Sequence, residues 1–394
     1  MMRPLNPALT QTFVPPVMEA RRWLDGVSFT PERPLINVSQ AAPVAPPPEA
    51  LRRVIADAAL NMPEAHLYGP VMGDPELRQA VADAFSLPGV ALDASQVAIT
   101  QGCNQAFCAA IAALAGPGDE VILPTPWYFN HKMWLDMAGV RAVPLPCREG
   151  MLPDPDEAAR LITERTRAIV LVTPNNPTGA EYPQGLVAAF HDVASRAGLT
   201  LIVDETYRDF DSRPGPVHDL RARDGGRVVQ LYSFSKTYRL TGHRVGALIA
   251  DADFMVEVEK FLDTVAICPN QLGQIAALWG MRNLGDWVQG ERAEILARRA
   301  ATVDKLGAIP GWTLKSAGAY FAWLEHPFDE PSNELARRMV AEAGVLALPG
   351  TMFAPDDDPQ GPRHLRIAFA NVDVDGIGIL ADRLAALVAD VPAS

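Results

Sequence analysis

RAIVLVTPNNPTG, residues 167 to 179, and LTLIVDETY, residues 199 to 207, are two apolar, β-branched runs, each broken by a cluster of polar residues. Between them lies a stretch that reads as a helix from about Pro183. Strand, helix, strand within about forty residues is the parallel crossover unit. The same alternation extends in both directions. Upstream stand QVAIT (96–100), a helix from Asn104, EVILP (120–124), a helix near His131 and VRAVPL (140–145). Downstream stand VVQLYSF (228–234) and VGALIAD (245–251). Strands alternating with helices predict an α/β fold with a mostly parallel central sheet covered by helices on both faces. After about residue 286 the pattern changes to a long charged helix, ERAEILARRAATVDKL (291–306), and strand-like pieces such as YFAWLE (320–325) and LRIAFA (365–370). This predicts a smaller α+β domain. The expected division is an N-terminal arm and part of the small domain over 1–45, a large α/β domain over 46–285 and a small C-terminal domain over 286–394. The Pro-rich PVAPPP (43–48) is read as a stiff connector.

The chain has 394 residues, 48% hydrophobic and 21% charged, enough for a large core in two domains. A net charge of -13 disfavours nucleic-acid and acidic-membrane partners, which call for a basic face, and a small-molecule ligand is the better expectation. Cys103, Cys108, Cys147 and Cys268 show no C-x-x-C pair and no metal-ligand spacing, so reduced thiols and no metal are expected. The first twenty residues lack the basic patch, apolar core and cleavage site of an export signal, and FCAAIAALA (107–115) falls well short of the ~20 residues of a membrane span. A cytoplasmic protein is the expectation.

In such folds ligands gather where parallel strands end. Four strand ends carry chemistry. After QVAIT, Gly102 permits a close backbone turn, and the amides of Cys103 and Asn104 open a helix whose dipole suits a phosphate, although short Gly turns are common in any protein. After VLVT, Asn176 lies in a turn of two asparagines, two prolines and a glycine, a composition that also suits a plain loop. After LTLIV, Asp204 ends a buried strand, where a carboxylate is costly unless a cation meets it, and Tyr207 follows three residues on. After VVQLYSF comes Lys236, whose amine, if desolvated in the crevice, becomes a neutral nucleophile. Amine, acid, amide neck and phosphate cradle together equip a site for pyridoxal 5'-phosphate.

At these residues the chain resembles the class I/II aminotransferases, the aspartate aminotransferase-like group of fold-type I pyridoxal-phosphate-dependent enzymes, from about residue 35 onward. Through that resemblance SFSK makes Lys236 the lysine that carries the cofactor, with Ser233, Ser235 and the Arg244 of GHRVG on its phosphate. VDETY sets Asp204 against the pyridine nitrogen and Tyr207 on the ring hydroxyl, and NNPTG makes Asn176 the second partner of that hydroxyl. The turn containing Gly102, Cys103 and Asn104 supplies phosphate-binding amides. PTPWYFNH aligns Tyr128 with the aromatic that stacks on the cofactor, with Trp127 or Phe129 as alternatives, and His131 with a residue behind the aspartate. HLYGPVMGDPELR aligns Tyr68 with a tyrosine that reaches the neighbouring subunit's site, which implies a homodimer. HLRIAFA makes Arg366 the clamp for the substrate carboxylate, and INVSQAAP places Ala41 where relatives have a glycine at the same carboxylate. Arg239 and His243 receive no role.

The resemblance implies a ping-pong transfer of an amino group from an L-amino acid to a 2-oxo acid through pyridoxamine phosphate. Lys236 serves as proton carrier, and Asp204 and Tyr207 tune the ring. A carbon–sulfur β-eliminating lyase on the same fold is the alternative. A cofactor-binding regulatory domain is a weaker one, since relatives of that kind carry a winged helix upstream and bind DNA. The substrate side chain is not legible, and Trp23, Tyr320 and Phe321 are candidate pocket walls.

Overall fold

The computed structural model describes residues 3–389. Its centre is a seven-stranded sheet built from β1 (Val97–Thr100), β2 (Glu120–Thr125), β3 (Arg141–Pro146), β4 (Thr166–Val172), β5 (Thr200–Asp204), β6 (Arg227–Ser233) and β7 (Gly246–Ile249). Their spatial order is β1-β7-β6-β5-β4-β2-β3. The run β6-β5-β4-β2-β3 is parallel, whereas β7 is antiparallel to both β1 and β6. The sheet is therefore mostly parallel, with the reversed strand supplied by VGALIAD. Strands β1, β2 and β5 are buried along their whole length, as expected of strands covered on both faces, where alternation gives way to continuous apolar runs.

Helices cover both sides. Cys103–Leu114, apolar almost all round, packs under β1, β6 and β7, and Gln184–Arg196 turns Val187, Phe190, Val193 and Ala194 toward the other face. This is the stretch read as a helix from about Pro183, which here is the residue just before its first turn.

A second, antiparallel sheet comprises β8 (Thr313–Gly318), β9 (Phe321–Glu325), β10 (Leu348–Pro349) and β11 (His364–Ile367), in the order β10-β11-β9-β8. The charged helix, Gly285–Leu306, starts somewhat earlier than ERAEIL and packs against Val374–Ala389. Near the N-terminus the short strand Ile36–Asn37 pairs in parallel with Val345–Leu346, tying that segment to the C-terminal part of the chain. Residues 39–41, just beyond this strand, are thereby brought against β11, because Ala368 N–H donates to the Val38 carbonyl at 2.8 Å.

The register of the central sheet positions the site. Gly246, the first residue of β7, is paired with Thr100, the last of β1, on one side and with Ser233, the last of β6, on the other. Asp204, the last of β5, lies beside Val172, the last of β4. Because β7 runs backwards, Arg244, two residues before its start, emerges at the same edge as the ends of the parallel strands.

Candidate active site

A cleft of about 500 Å³ opens along that edge, bounded on its other side by residues 15–18, 21, 40–42 and Arg366. The residues read from the four strand ends meet in it. Lys236, Asp204, Tyr207, Asn176, Ser233, Ser235, Arg244, Cys103, Asn104, Tyr128, Ala41 and Arg366 all line its wall. Gly102 lies just behind the wall. Its φ of 84° is one that side-chain-bearing residues rarely adopt, and an added Cβ would stand 2.3 Å from Arg244 Nη2, so the tight turn and the arginine share the space a side chain would fill.

Lys236 is carried on the short helix Phe234–Thr237, which Ser233 caps through its side chain. Thr237 Oγ1 and Tyr232 OH both donate to Asp209 Oδ2 at 2.7 Å, bracing the helix from below. The Lys236 amine donates to the Ala41 carbonyl at 2.6 Å. Burial, followed by the charges of Arg244 and Arg366, lowers its pKa from 10.5 to about 8. A cation taken out of water next to two others sheds its proton more readily.

Asp204 is 3% exposed. Burial by itself would push its carboxyl upward, but His131, with Nε2 3.3 Å from Oδ2, and Thr206, whose N–H donates to Oδ1 at 2.9 Å, outweigh it and hold the group below the usual value. The 3.3 Å approach is an ion-pair distance without hydrogen-bond alignment, since Nε2 has no well-directed partner. The imidazole itself stacks on Phe107 with ring centres 3.8 Å apart. His131 is thus placed behind the aspartate, as the PTPWYFNH segment implies. Tyr128 reaches Asn104 Oδ1 through its hydroxyl at 3.3 Å. Of the alternative rings, Phe129 also lines the cleft but is tilted against Phe353 with ring centres 5.4 Å apart, and Trp127 lies outside the cleft wall beneath Lys132. Tyr207 lies 4% exposed against Tyr320 and Phe321, and burial raises its phenol far above the normal range.

The two asparagines of NNPTG divide their work. Asn175 holds the turn together, its side chain donating to the Val172 carbonyl and accepting from Thr178 N–H and Oγ1. Asn176 faces the cleft, where its Oδ1 accepts from Arg366 Nη1 at 3.0 Å. Arg366, 2% exposed, extends from β11 between the rings of Phe129, Phe321 and Phe353 and also donates to the Ser39 carbonyl. Its Nε has no partner, and burial lowers its pKa to about 10. Arg244 Nη1 donates to the Thr241 carbonyl at 3.0 Å and lies 3.5 Å from Ser235 Oγ. Among the described residues, no carboxylate comes within ion-pair distance of Arg366, Arg244 or Lys236. Lys236, Arg244 and Arg366 thus face a single carboxylate, Asp204, an imbalance that anionic ligands would correct.

Tyr68 lies outside the cleft. It follows Pro63–His66 on the surface and is 80% exposed. Trp23, Tyr320 and Phe321 do not line the cleft either. Trp23 bonds to Glu19 and lies under Arg337, and the other two pack in the core behind Tyr207. Arg239 is paired with Glu291. Sequence reading missed Thr206, which bonds locally to Asp204, and it missed Arg21, the Ser39 carbonyl and the contact of the Ala41 carbonyl with Lys236, which arise between separate segments. Among the described residues, no group of three or more His, Cys, Asp or Glu side chains is arranged to hold a metal ion, and no helix is long and apolar enough to cross a membrane.

Residues 33–384 match the family described as aminotransferase class I and II. The chain is 30% identical over 310 residues to an aspartate aminotransferase of Pyrococcus horikoshii, an alignment covering 77% of this chain and 78% of the relative. In three dimensions it is similar to the aspartate aminotransferase of Thermus thermophilus solved with maleate, with a TM-score of 0.87 and 25% identity over 98% of this chain and 100% of the other. YbdL of Escherichia coli, reported with a methionine aminotransferase function, is similar with the same TM-score, identity and coverage. With its strand-end residues meeting in one cationic cleft and its family matched along nearly the whole described length, the chain belongs to the class I and II aminotransferases.

Proposed function

We propose that this aminotransferase works with pyridoxal 5'-phosphate held in the cleft, moving the amino group of an L-amino acid to a 2-oxo acid in two half-reactions. The observation that carries the reading is the Lys236 amine, buried, lowered to about 8 and flanked by one ionised carboxylate and two arginines without acidic partners. The residues fit the cofactor. Gly102 leaves the space beside Arg244 that a side chain would occupy, and the Cys103 and Asn104 amides begin a helix, so with Ser233, Ser235 and Arg244 they form a cradle for a phosphate dianion.

When bound, pyridoxal phosphate supplies an electron sink for the bond broken at the substrate's α-carbon. Asp204, kept ionised by His131 and Thr206, stabilises a proton on the ring nitrogen. Asn176 and Tyr207 serve the ring hydroxyl, and Tyr128 covers the ring. Arg366 grips the substrate's α-carboxylate with its planar two-pronged face, and the backbone at Ala41 assists. Lys236 Nζ, whose pKa is lowered to about 8 so that a neutral amine is available well below the usual lysine range, accepts the proton from the α-carbon. Tyr68 reaches into the site of a second copy, making the working unit a homodimer. Residues 46–285 form the cofactor-binding domain, 286–394 with the N-terminal arm form the smaller one, and the enzyme works in the cytoplasm.

The test is a half-reaction. Holoenzyme mixed with amino acid alone is expected to lose its yellow colour and release one equivalent of 2-oxo acid per site, and added 2-oxo acid to restore the colour. Continuous release of ammonia and pyruvate would instead assign the chain to β-elimination.

A further inference from the structure

The cleft holds a fourth cation that neither the fold of the central sheet nor the proposed cofactor accounts for. Arg21, in the last turn of the helix Pro16–Arg22, lines the mouth of the cleft. Its neighbours on the surface are neutralised, since Arg22 and Arg337 each lie 3.3 Å from Glu19. Arg21 is not. Among the described residues no carboxylate lies within 4.0 Å of its guanidinium, and its recorded partner is a neutral acceptor, Gln40 Oε1, at 2.7 Å. On the same helix Val17, one turn earlier, and Met18 present aliphatic surface to the cleft.

Three successive residues each engage a different cation of the cleft. The Ser39 carbonyl accepts from Arg366, the Gln40 side chain from Arg21 and the Ala41 carbonyl from Lys236. Arg366 and Arg21 are thus anchored to adjacent residues of one segment. Arg366 is deep and Arg21 is at the mouth, so a ligand whose α-carboxylate is held by the first would extend its side chain toward the second.

We infer that Arg21 receives the distal carboxylate of the substrate and makes this enzyme selective for dicarboxylic amino acids and their 2-oxo acids, displacing Gln40 as its partner. The inference rests on the proposed transamination. A charge-assisted, two-pronged contact made with one substrate class and not another appears as a difference in kcat/KM between the classes.

The experiment compares wild-type holoenzyme with Arg21→Gln and Arg21→Glu, using aspartate and glutamate against alanine and phenylalanine as donors. Succinate and butyrate serve as non-reacting competitors. Arg21 is exposed, so substitution should leave the fold intact, which thermal unfolding checks. The expected result is a fall of roughly ten- to a hundredfold in kcat/KM for the dicarboxylic donors relative to the monocarboxylic ones in R21Q, chiefly through KM. A larger fall is expected in R21E, with inhibition by succinate weakened in parallel and inhibition by butyrate much less affected. An unaltered ratio between the two donor classes, or a wild-type enzyme that succinate inhibits no better than butyrate, overturns the assignment of Arg21 and leaves transamination standing. Absence of amino transfer from every donor overturns both.

Discussion

At the scale of single residues, the site depends on groups kept in protonation states that water would not favour. Lys236 is the sharpest case, its amine lowered to about 8 by burial and by Arg244 and Arg366. Two consequences follow from the sign of that shift. Between about pH 8 and the ordinary lysine value the unfolded chain binds more protons at this position than the folded one, so this group's contribution to the stability of the cofactor-free protein improves as pH rises through that window. The neutral amine also becomes abundant well below the usual lysine range. The rate at which the cofactor-free protein turns yellow with added pyridoxal phosphate should rise with pH and level off a little above 8, and Lys236→Ala should abolish it. A rate still climbing at the ordinary lysine pKa would show an amine in plain contact with water. Much at this scale was legible in the sequence, because SFSK, VDETY and NNPTG each place a reactive group directly after an apolar run. Arg21 was not, since nothing in PVMEARR distinguishes an arginine facing a cleft from its neighbour Arg22 paired to Glu19.

At the scale of elements, the ends of strands do the positioning, and the end of β5 shows how. Successive residues there face opposite ways. Asp204 turns to the cleft, and Glu205, 1% exposed, turns to a buried cluster in which His218 Nε2 is 3.0 Å from Oε1, Gln230 Nε2 donates to Oε1 at 2.8 Å and Arg208 lies 3.5 Å from Oε2. Burial alone would raise this carboxyl, but His218, Arg208 and Gln230 together lower it from 4.5 to about 2. A carboxylate with a depressed folded value contributes stability above its unfolded value and loses it as pH falls through the folded one. Glu205→Gln is therefore expected to cost about 3 kcal/mol at neutral pH, because it leaves the Arg208 guanidinium without its anion and disrupts the hydrogen bonds of the cluster. The difference from wild type should shrink as pH drops from 4.5 toward about 2. Urea unfolding at several pH values measures it, and a pH-independent difference would place the effect in packing instead. The apolar runs of β4, β5 and β6 announced these strands. The cluster around Glu205 was not legible, because its members come from three separate stretches of chain.

At the scale of the whole molecule, Tyr68 stands 80% exposed on the chain that carries it and outside that chain's own cleft. If it completes the site of a second copy, two inactive variants should rescue each other. Lys236→Ala lacks its own amine but offers an intact Tyr68, and Tyr68→Phe has the reverse defect. Dimers unfolded and refolded together at equal amounts should regain roughly a quarter of wild-type activity, the share of sites in which both groups are intact under two-fold symmetry. Each variant refolded alone should not. A mixture no more active than the average of its parts would show that Tyr68 acts within its own chain or not at all.

The sequence by itself determined the α/β class, the parallel run of strands and the residues at their ends, because apolar periodicity and strand-terminal polar groups are local properties of a chain. Only the tertiary structure decided that β7 runs backwards and so delivers Arg244 to the same edge as Lys236, and that residues 39–41 lie across the cleft from both. Those placements follow from pairings between segments up to several hundred positions apart, and the uncompensated positive charge they create exists only once the chain has closed upon itself.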